Sequence, residues 1–581
     1  MEIKSKVWVL MGAGILIWCG CDQPPEEEWS SEGFWYDPSE DRRVNPAMLF
    51  EAAPTDIGRI DTEASLQLQL DGNPNTLHPF FVSSVNEFTV VNAIYMGLFV
   101  YDKDLQWKPN EDIVESYRES EDHTEYIVKI KEGFTWHDGA PFTAHDVVYS
   151  WGQILAEEVP CQTQKPSTEP ITECTALDDY TVRYFQPRPL ATARWNLLFP
   201  VIPKHLFEKD KKNNPDLRSG AYYNQLSRRP VGNGPYRWAE GKDHERIVLQ
   251  RWEDYAGVKP YFKYIVFRII PDRNMALLLF ENGQVDVIER LSPQQFARET
   301  GSESFQQAGV KGWQIGRSYG YIGWNMDGSN PFFNDERVRY AMTQALNVPL
   351  ILDKVFYNLA APSAGIYHPE MWTFNEQVER LEYDPEESAG LLEEAGWQVA
   401  GGDGWRYKQI EGEKVRFEFT LLMAQNMAGG AQIGAIFQED LKKIGVSLKT
   451  RSMEGPTFLD KLNHHEFQAY LGSWDPGVDP DWEGSVWQSD GYEQGRNYMG
   501  YCNGRVDELY EKGRREFEGA ARKEIYQEIH KLTYEDQPYT WIYQAPILSA
   551  FNKRIRGVQF GGRGIYGFYP SFYQWWSVKE N

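Results

Sequence analysis

Residues 126–151 read YIVKIKEGFTWHDGAPFTAHDVVYSW. Tyr126, Val128 and Ile130 alternate with Ile127, Lys129 and Lys131, the period of two that a half-buried strand requires. Gly133 and then Asp138-Gly139 supply turn chemistry. Thr143 is placed to cap a helix whose third residue, Asp146, stands where a capping box wants an acid. Ala144, Val147, Val148 and Trp151 then share one helical face. The stretch is therefore a strand, a turn, a short hairpin arm and a helix, which points to a mixed α/β protein.

Outward from this stretch, 581 residues exceed what one hydrophobic core serves, so several domains are expected. Charged residues at 25% and hydrophobic residues at 41% fit a soluble globular chain. A net charge of −26 argues against nucleic acid as a partner, because phosphate binding needs clustered Lys and Arg. That charge fits either a cationic ligand or simply an acidic soluble surface. Aromatic residues at 14% suggest ring-lined pockets, although packing uses rings too.

The N-terminus reads as an address. Lys4 and Lys6 precede an apolar run over 7–18, too short to span a bilayer and suited to a signal peptide at 1–20. Gly20-Cys21 resembles a lipobox, with Trp18 where Leu is usual, so lipidation of Cys21 is expected; a plain secretory signal is the alternative. Residues 21–61 are rich in Pro, Glu, Ser and Asp and read as a flexible tether, interrupted by Trp29, Phe34, Trp35 and Tyr36. Cys161 and Cys174 bracket the loop CQTQKPSTEPITEC, and in an exported protein a disulfide between them is expected, with Cys502 left over.

Further along, 65–70 alternates as a strand, and Val231-Gly232-Asn233-Gly234-Pro235-Tyr236 fixes a tight backbone path. In the stretch 321–362, Asn334 is expected to cap a helix with Val338, Ala341, Met342, Ala345 and Leu346 on its apolar face. Asp384-Pro385 opens a helix that stops at Gly396; a helix over 431–445 precedes a strand over 446–450, and 506–534 is helical.

The stretch at 126–151 resembles the signature region of the family 5 extracellular solute-binding proteins, the peptide-, oligopeptide- and nickel-binding subunits of ABC importers. The residues that carry the resemblance are Lys131, Gly133, Phe134, Trp136, His137, Asp138, Gly139, Pro141, Phe142, Thr143, Ala144, Asp146, Val147, Val148 and Ser150. Asn73-Pro74-Asn75-Thr76-Leu77-His78-Pro79 (His78 where the family has Asp), 94–101, 231–236, 280–288 and the P-F-x-D-x-R-V-R-x-A pattern from Pro331 to Ala341 continue it. The resemblance implies a bilobal, periplasmic-binding-protein-like α/β fold with three domains and a hinged ligand cleft. Domain I would comprise 62–101, 230–320 and 545–581, domain II 102–229 and domain III 321–544. It also implies a non-enzymatic lipoprotein, without cofactor, on the outer face of a bacterial membrane. That protein, a monomer, would capture di- to oligopeptides and pass them to an ABC permease with its ATPases. The same fold in relatives also takes a metal chelate, opine or oligosaccharide, which stays open as the alternative ligand class.

In peptide-binding members an Asp in the loop matching 473–481, SWDPGVDPD, pairs with the ligand's α-amine. Asp475 is the positional match, with Asp479 and Asp481 as fallbacks. A buried ammonium needs such an anion once water is excluded; the alternative is an Asp-Pro turn with solvated acids. Trp474, Trp482 and Trp487, and Tyr319, Tyr321 and Trp324, are candidate pocket rings, each equally suited to packing. Two enzyme-like motifs are set aside. Gly316-Arg317-Ser318-Tyr319-Gly320 spells G-x-S-x-G, but strand rather than helix follows, so a serine hydrolase at Ser318 is the remote reading. The G-x-G-x-x-G at 562–567 has no helix after it. His464-His465 alone makes no metal site.

Overall fold

A computed structural model describes residues 36–159, 161, 164–213, 227–425 and 427–579. The expected signal peptide at 1–20, Cys21, and Trp29, Phe34 and Trp35 lie outside the described residues. Two long strands, Gly309–Trp324 and Tyr539–Asn552, pair antiparallel and form the centre of an 11-stranded sheet. On one side of them stand Val287–Ile288, Ser65–Leu70, Tyr264–Ile269, Arg246–Arg251 and Tyr236–Lys242. On the other stand Ala469–Trp474, Glu418–Ala424 and Ser447–Met453. Among the described residues this long pair joins the two sides, in a mixed α/β architecture as expected.

A separate four-stranded sheet runs in the order Val114–Glu119, Glu125–Ile130, Thr181–Phe185, Glu173–Asp178. The strand expected from the alternation is there, with Tyr126, Val128 and Ile130 all fully buried. Helix Ala144–Leu155 packs on this sheet through Ala144, Val147 and Ile154. Its capping box is formed: Thr143 N donates to Asp146 Oδ2 at 2.9 Å, and Asp146 also receives Lys204 N at 2.9 Å.

Three of the sequence motifs meet at one junction. His137 receives the N–H of Gly232 on Nδ1 at 3.1 Å and donates from Nε2 to Gly234 O at 3.0 Å. Gly234 N in turn donates to Ile94 O at 2.8 Å. A Cβ on Gly232 would lie 2.0 Å from Ile94 O, so only glycine permits this approach.

Four expectations are corrected. Residues 36–61 are not a free tether. Val44 bridges Lys311, Leu49 is fully buried in the core, and Asn45 clasps the Trp313 backbone through both ends of its amide. The helix Glu336–Ala345 is capped by Asp335, not Asn334, because the Asp335 carboxylate receives Arg337 N at 3.1 Å. The region 506–534 is two helices, Gly504–Arg515 and Gly519–Glu535, since Glu518 caps the second at Ala520 and Ala521. Cys161 and Cys174 are free thiols, not a disulfide. Each is committed to another neighbour: Cys161 donates to Phe80 O at 3.4 Å, and Cys174 sits within its strand opposite Tyr184. Burial pushes the Cys161 thiol up to about 11, which keeps it unreactive.

Candidate functional site

Strand Ala469–Trp474 runs out of the large sheet into the acidic loop, which closes with a 3-10 turn at Pro480–Glu483 and a helical turn at Gly484–Trp487. Asp479 caps that turn, receiving Asp481 N at 3.0 Å. The loop walls a cavity of about 190 Å3 lined by Tyr319, Trp474, Asp475, Trp482, Glu483, Arg496 and Arg563, together with Pro476, Gly477 and Val486. The lining mixes two acids, two guanidinium groups and three rings, which suits a ligand with charged ends and an apolar body.

The three candidate acids have different fates. Asp475 lines the cavity, with its side chain 42% exposed. Its Oδ2 receives Arg563 from Nε at 3.1 Å and Nη2 at 3.0 Å, and its Oδ1 receives the Ser318 hydroxyl at 3.2 Å. Asp479 is withdrawn: it is buried and takes both Arg522 nitrogens at 2.8 and 3.0 Å and the Trp195 indole at 3.1 Å. Asp481 faces Arg514, whose Nε donates to it at 2.7 Å. Burial nevertheless lifts its carboxyl to about 6 against the pull of that guanidinium.

Of the candidate rings, Trp474, Trp482 and Tyr319 line the cavity. Trp474 donates its indole N–H to the Tyr539 hydroxyl at 3.1 Å, which fixes the ring with the Arg496 guanidinium over it at 5.7 Å. Trp482 is 45% exposed and meets Trp195 edge-on at 5.9 Å. Tyr321, Trp324 and Trp487 are core residues instead. Tyr321 stacks on Tyr539 at 3.7 Å, fully buried Trp324 donates to Thr540 Oγ1 at 3.2 Å, and Trp487 packs edge-on against Tyr539 at 4.9 Å. Inward-facing positions of central strands and helical turns are filled this way wherever two layers meet.

Sequence reasoning missed Glu483, Arg496 and Arg563. Arg563 belongs to the G-x-G-x-x-G stretch, which marks a tight turn against Lys103 and Arg317 rather than a nucleotide site. Ser318 lies inside strand Gly309–Trp324, at the register shift between Ile315 and Tyr319, so no strand-to-helix elbow presents it. A second cavity of about 230 Å3, mainly apolar, opens between 91–101 and 566–573 and is lined by Tyr95, Met96, Phe568 and Tyr573 among others.

The region carrying the four-stranded sheet touches the acidic-loop side directly. Besides the Trp195–Asp479 bond, Ala191 N donates to Arg514 O at 2.8 Å, and His123 stacks on Phe517 at 3.8 Å. No helix among the described residues is long and apolar enough to cross a membrane.

Comparison with known proteins adds three findings. Residues 108–495 match the family model described as bacterial extracellular solute-binding proteins, family 5 middle. The chain is 28% identical over 522 residues to oligopeptide-binding protein AppA of Bacillus subtilis, covering 87% of this chain and 90% of that one. It is 23% identical over 467 residues to the dipeptide-binding protein of Escherichia coli K12, covering 77% and 82%. Among solved structures, AppA from Bacillus subtilis in complex with a nonapeptide superposes with a TM-score of 0.72 at 26% identity, covering 90% of this chain and all of that one. NikA from Brucella suis with Fe(III)-EDTA superposes at 0.77 with 21% identity, covering 89% and all of that chain, a likeness of fold.

Proposed function

The chain belongs to the family 5 bacterial extracellular solute-binding proteins, and from that premise we propose that it captures peptides and hands them to an ABC permease with its ATPases. The observation that carries this reading is the cavity under the acidic loop, with Asp475 at its wall beside Trp474 and Trp482. In this reading Asp475 receives the peptide's α-amine through a carboxylate lone pair that Arg563 and Ser318 leave open. Arg563 and Arg496 supply cationic hydrogen-bond donors for backbone carbonyls or a carboxylate. The names of the relatives, oligopeptide- and dipeptide-binding proteins, support the same ligand class.

The proposal includes the rest of the device. Domains at 62–101, 230–320 and 545–581, at 102–229, and at 321–544 form two lobes that close on the ligand, and the Trp195–Asp479 contact belongs to the closed form. Lipidation at Cys21 holds the protein at the outer face of the membrane.

The test is acid release and mass spectrometry of whatever co-purifies with residues 22–581. A ladder of peptides of narrow length range is the expected result. A single metal chelate, opine or oligosaccharide, with no peptide, overturns the ligand class and leaves the fold.

A further inference from the structure

Glu483 is the one acid of this cavity that the positional match does not cover. The residue is only 7% exposed, it lines the cavity, and neither carboxyl oxygen has a hydrogen-bond partner. The indole of Trp487 is close enough to lower the carboxyl somewhat, yet makes no hydrogen bond of ordinary geometry to it. A buried carboxylate left in this condition costs free energy, so such groups either stay protonated or await a cation. Asp475, by contrast, already has Arg563.

We propose that Glu483 is the second carboxylate of an amine site shared with Asp475, protonated in the empty protein and ionised when the ligand's ammonium enters. The inference rests on the reading that a peptide amine is held in this cavity. An ammonium carries three N–H donors, and Asp475 and Glu483 would take one each. The Glu483 O–H bond breaks as the ammonium arrives, the proton leaves to solvent, and the pair of opposite charges remains. Burial pushes the Glu483 carboxyl up to about 8, with Asp475 and Asp479 pushing the same way. The other titratable groups around it are the hydroxyls of Tyr319, Tyr367 and Tyr510, which are held neutral, and Arg496 and Arg563 on the cavity wall. Peptide capture is therefore coupled to proton release, and acidification unloads the protein.

The experiment is calorimetry of purified protein, in buffers of different ionisation enthalpy, with synthetic peptides of two to nine residues and their Nα-acetylated counterparts. Wild type is expected to bind the free-amine peptides, to release about 0.9 proton per peptide at pH 7, and to gain affinity about tenfold per pH unit between 5.5 and 7. Glu483→Gln, isosteric with the protonated acid, is expected to fold, to bind more weakly, and to release no proton. Binding of neither peptide form sinks the peptide reading itself. Equal binding of free and acetylated peptides sinks the amine site but not peptide capture. Amine-dependent binding whose proton release survives in Glu483→Gln removes Glu483 alone.

Discussion

The indole N–H of Trp195 donates to Asp479 Oδ2 at 3.1 Å, and that carboxylate is simultaneously gripped by both terminal nitrogens of Arg522. Trp195 comes from the region with the four-stranded sheet, and Asp479 from the acidic loop. A hydrogen bond to a charged, buried acceptor is worth about 1.5–3 kcal/mol. Trp195→Phe keeps an aromatic ring, though a smaller one, and removes the bond. If the contact is a latch of the proposed closed form, the substitution should lower the population of that form relative to an open one about ten- to a hundredfold. Small-angle scattering of the ligand-free protein should show a larger radius of gyration; an unchanged curve would mean the bond is not part of a latch.

Asp475 offers a second prediction with a smaller size than position alone suggests. Its exposure and its pairing with Arg563 mean that solvent and a guanidinium already screen it. Asp475→Asn should therefore weaken binding of a free-amine peptide about tenfold and leave binding of the acetylated peptide unchanged. Equal loss for both peptides would show that the substitution disturbs the loop and not amine recognition.

The pH dependence of stability follows from buried groups with opposite signs. Burial holds His137 and His530 down at about 4 and His78 at about 3. Below their ordinary value of about 6.5 the unfolded chain takes up protons that the folded one refuses, so stability falls as pH drops from 6.5 towards 4. Each contributes roughly 3 kcal/mol over that span. Glu483 and Asp481 act in reverse: raised to about 8 and about 6, they cost stability as pH rises through 4 to 8. The three histidines outweigh the two acids below 6.5; above it the histidines no longer differ in charge between folded and unfolded chain, while the raised Glu483 still lowers stability, offset near pH 8 as Lys311 begins to lose its proton. The unfolding temperature should peak near pH 6.5, and Glu483→Gln should flatten the decline between 6.5 and 8. A decline that survives the substitution would reassign it to another group.

The junction of His137 with Gly232 and Gly234 shows how far the sequence could be read. The motifs at 94–101, 137–139 and 231–236 were each legible because glycines and turn residues mark local backbone shape. Their meeting was not, because nothing in residue spacing says that an imidazole 95 positions away will clasp a glycine's N–H. The same divide runs through the site. The loop holding Asp475 stands out by its Asp-Pro repeats and tryptophans, but aromatic residues look alike in a core and in a pocket. So residue identity alone does not part Tyr321, Trp324 and Trp487, which are buried in the core, from Trp474 and Trp482, which line the cavity. Arg563 reaches the cavity from 88 residues downstream, and Glu483 acquires its role only from having no partner.

Gly232 gives a test of that junction. A methyl group there would lie 2.0 Å from Ile94 O, which is backbone and cannot swing aside. Gly232→Ala must therefore part the two segments and lose the His137 bonds with them, at about 3 kcal/mol or more. The expected result is a lowered midpoint of urea unfolding. Gly133→Ala, where the new Cβ meets nothing within 4 Å, should cost only its positive φ of 92°, about 1 kcal/mol. Equal losses at the two glycines would count against the close approach as the cause.

Lys311 lies fully buried in the long central strand, and the segment read as a tether is what neutralises it. Its ammonium pairs with Asp41 Oδ2 at 2.7 Å and donates to the Tyr36 hydroxyl at 2.7 Å and to Phe296 O at 3.0 Å. Burial pulls the amine down to about 8 even against Asp41. Removing one partner of a buried pair strands the other charge, so Asp41→Ala should lower stability by about 3 kcal/mol. Replacing both charges avoids that penalty, so Asp41→Ala with Lys311→Met should recover most of the loss. Urea unfolding of the two single variants and the double variant checks this as a cycle. Additive losses would mean that the N-terminal segment packs on the strand without serving as the counter-charge of Lys311.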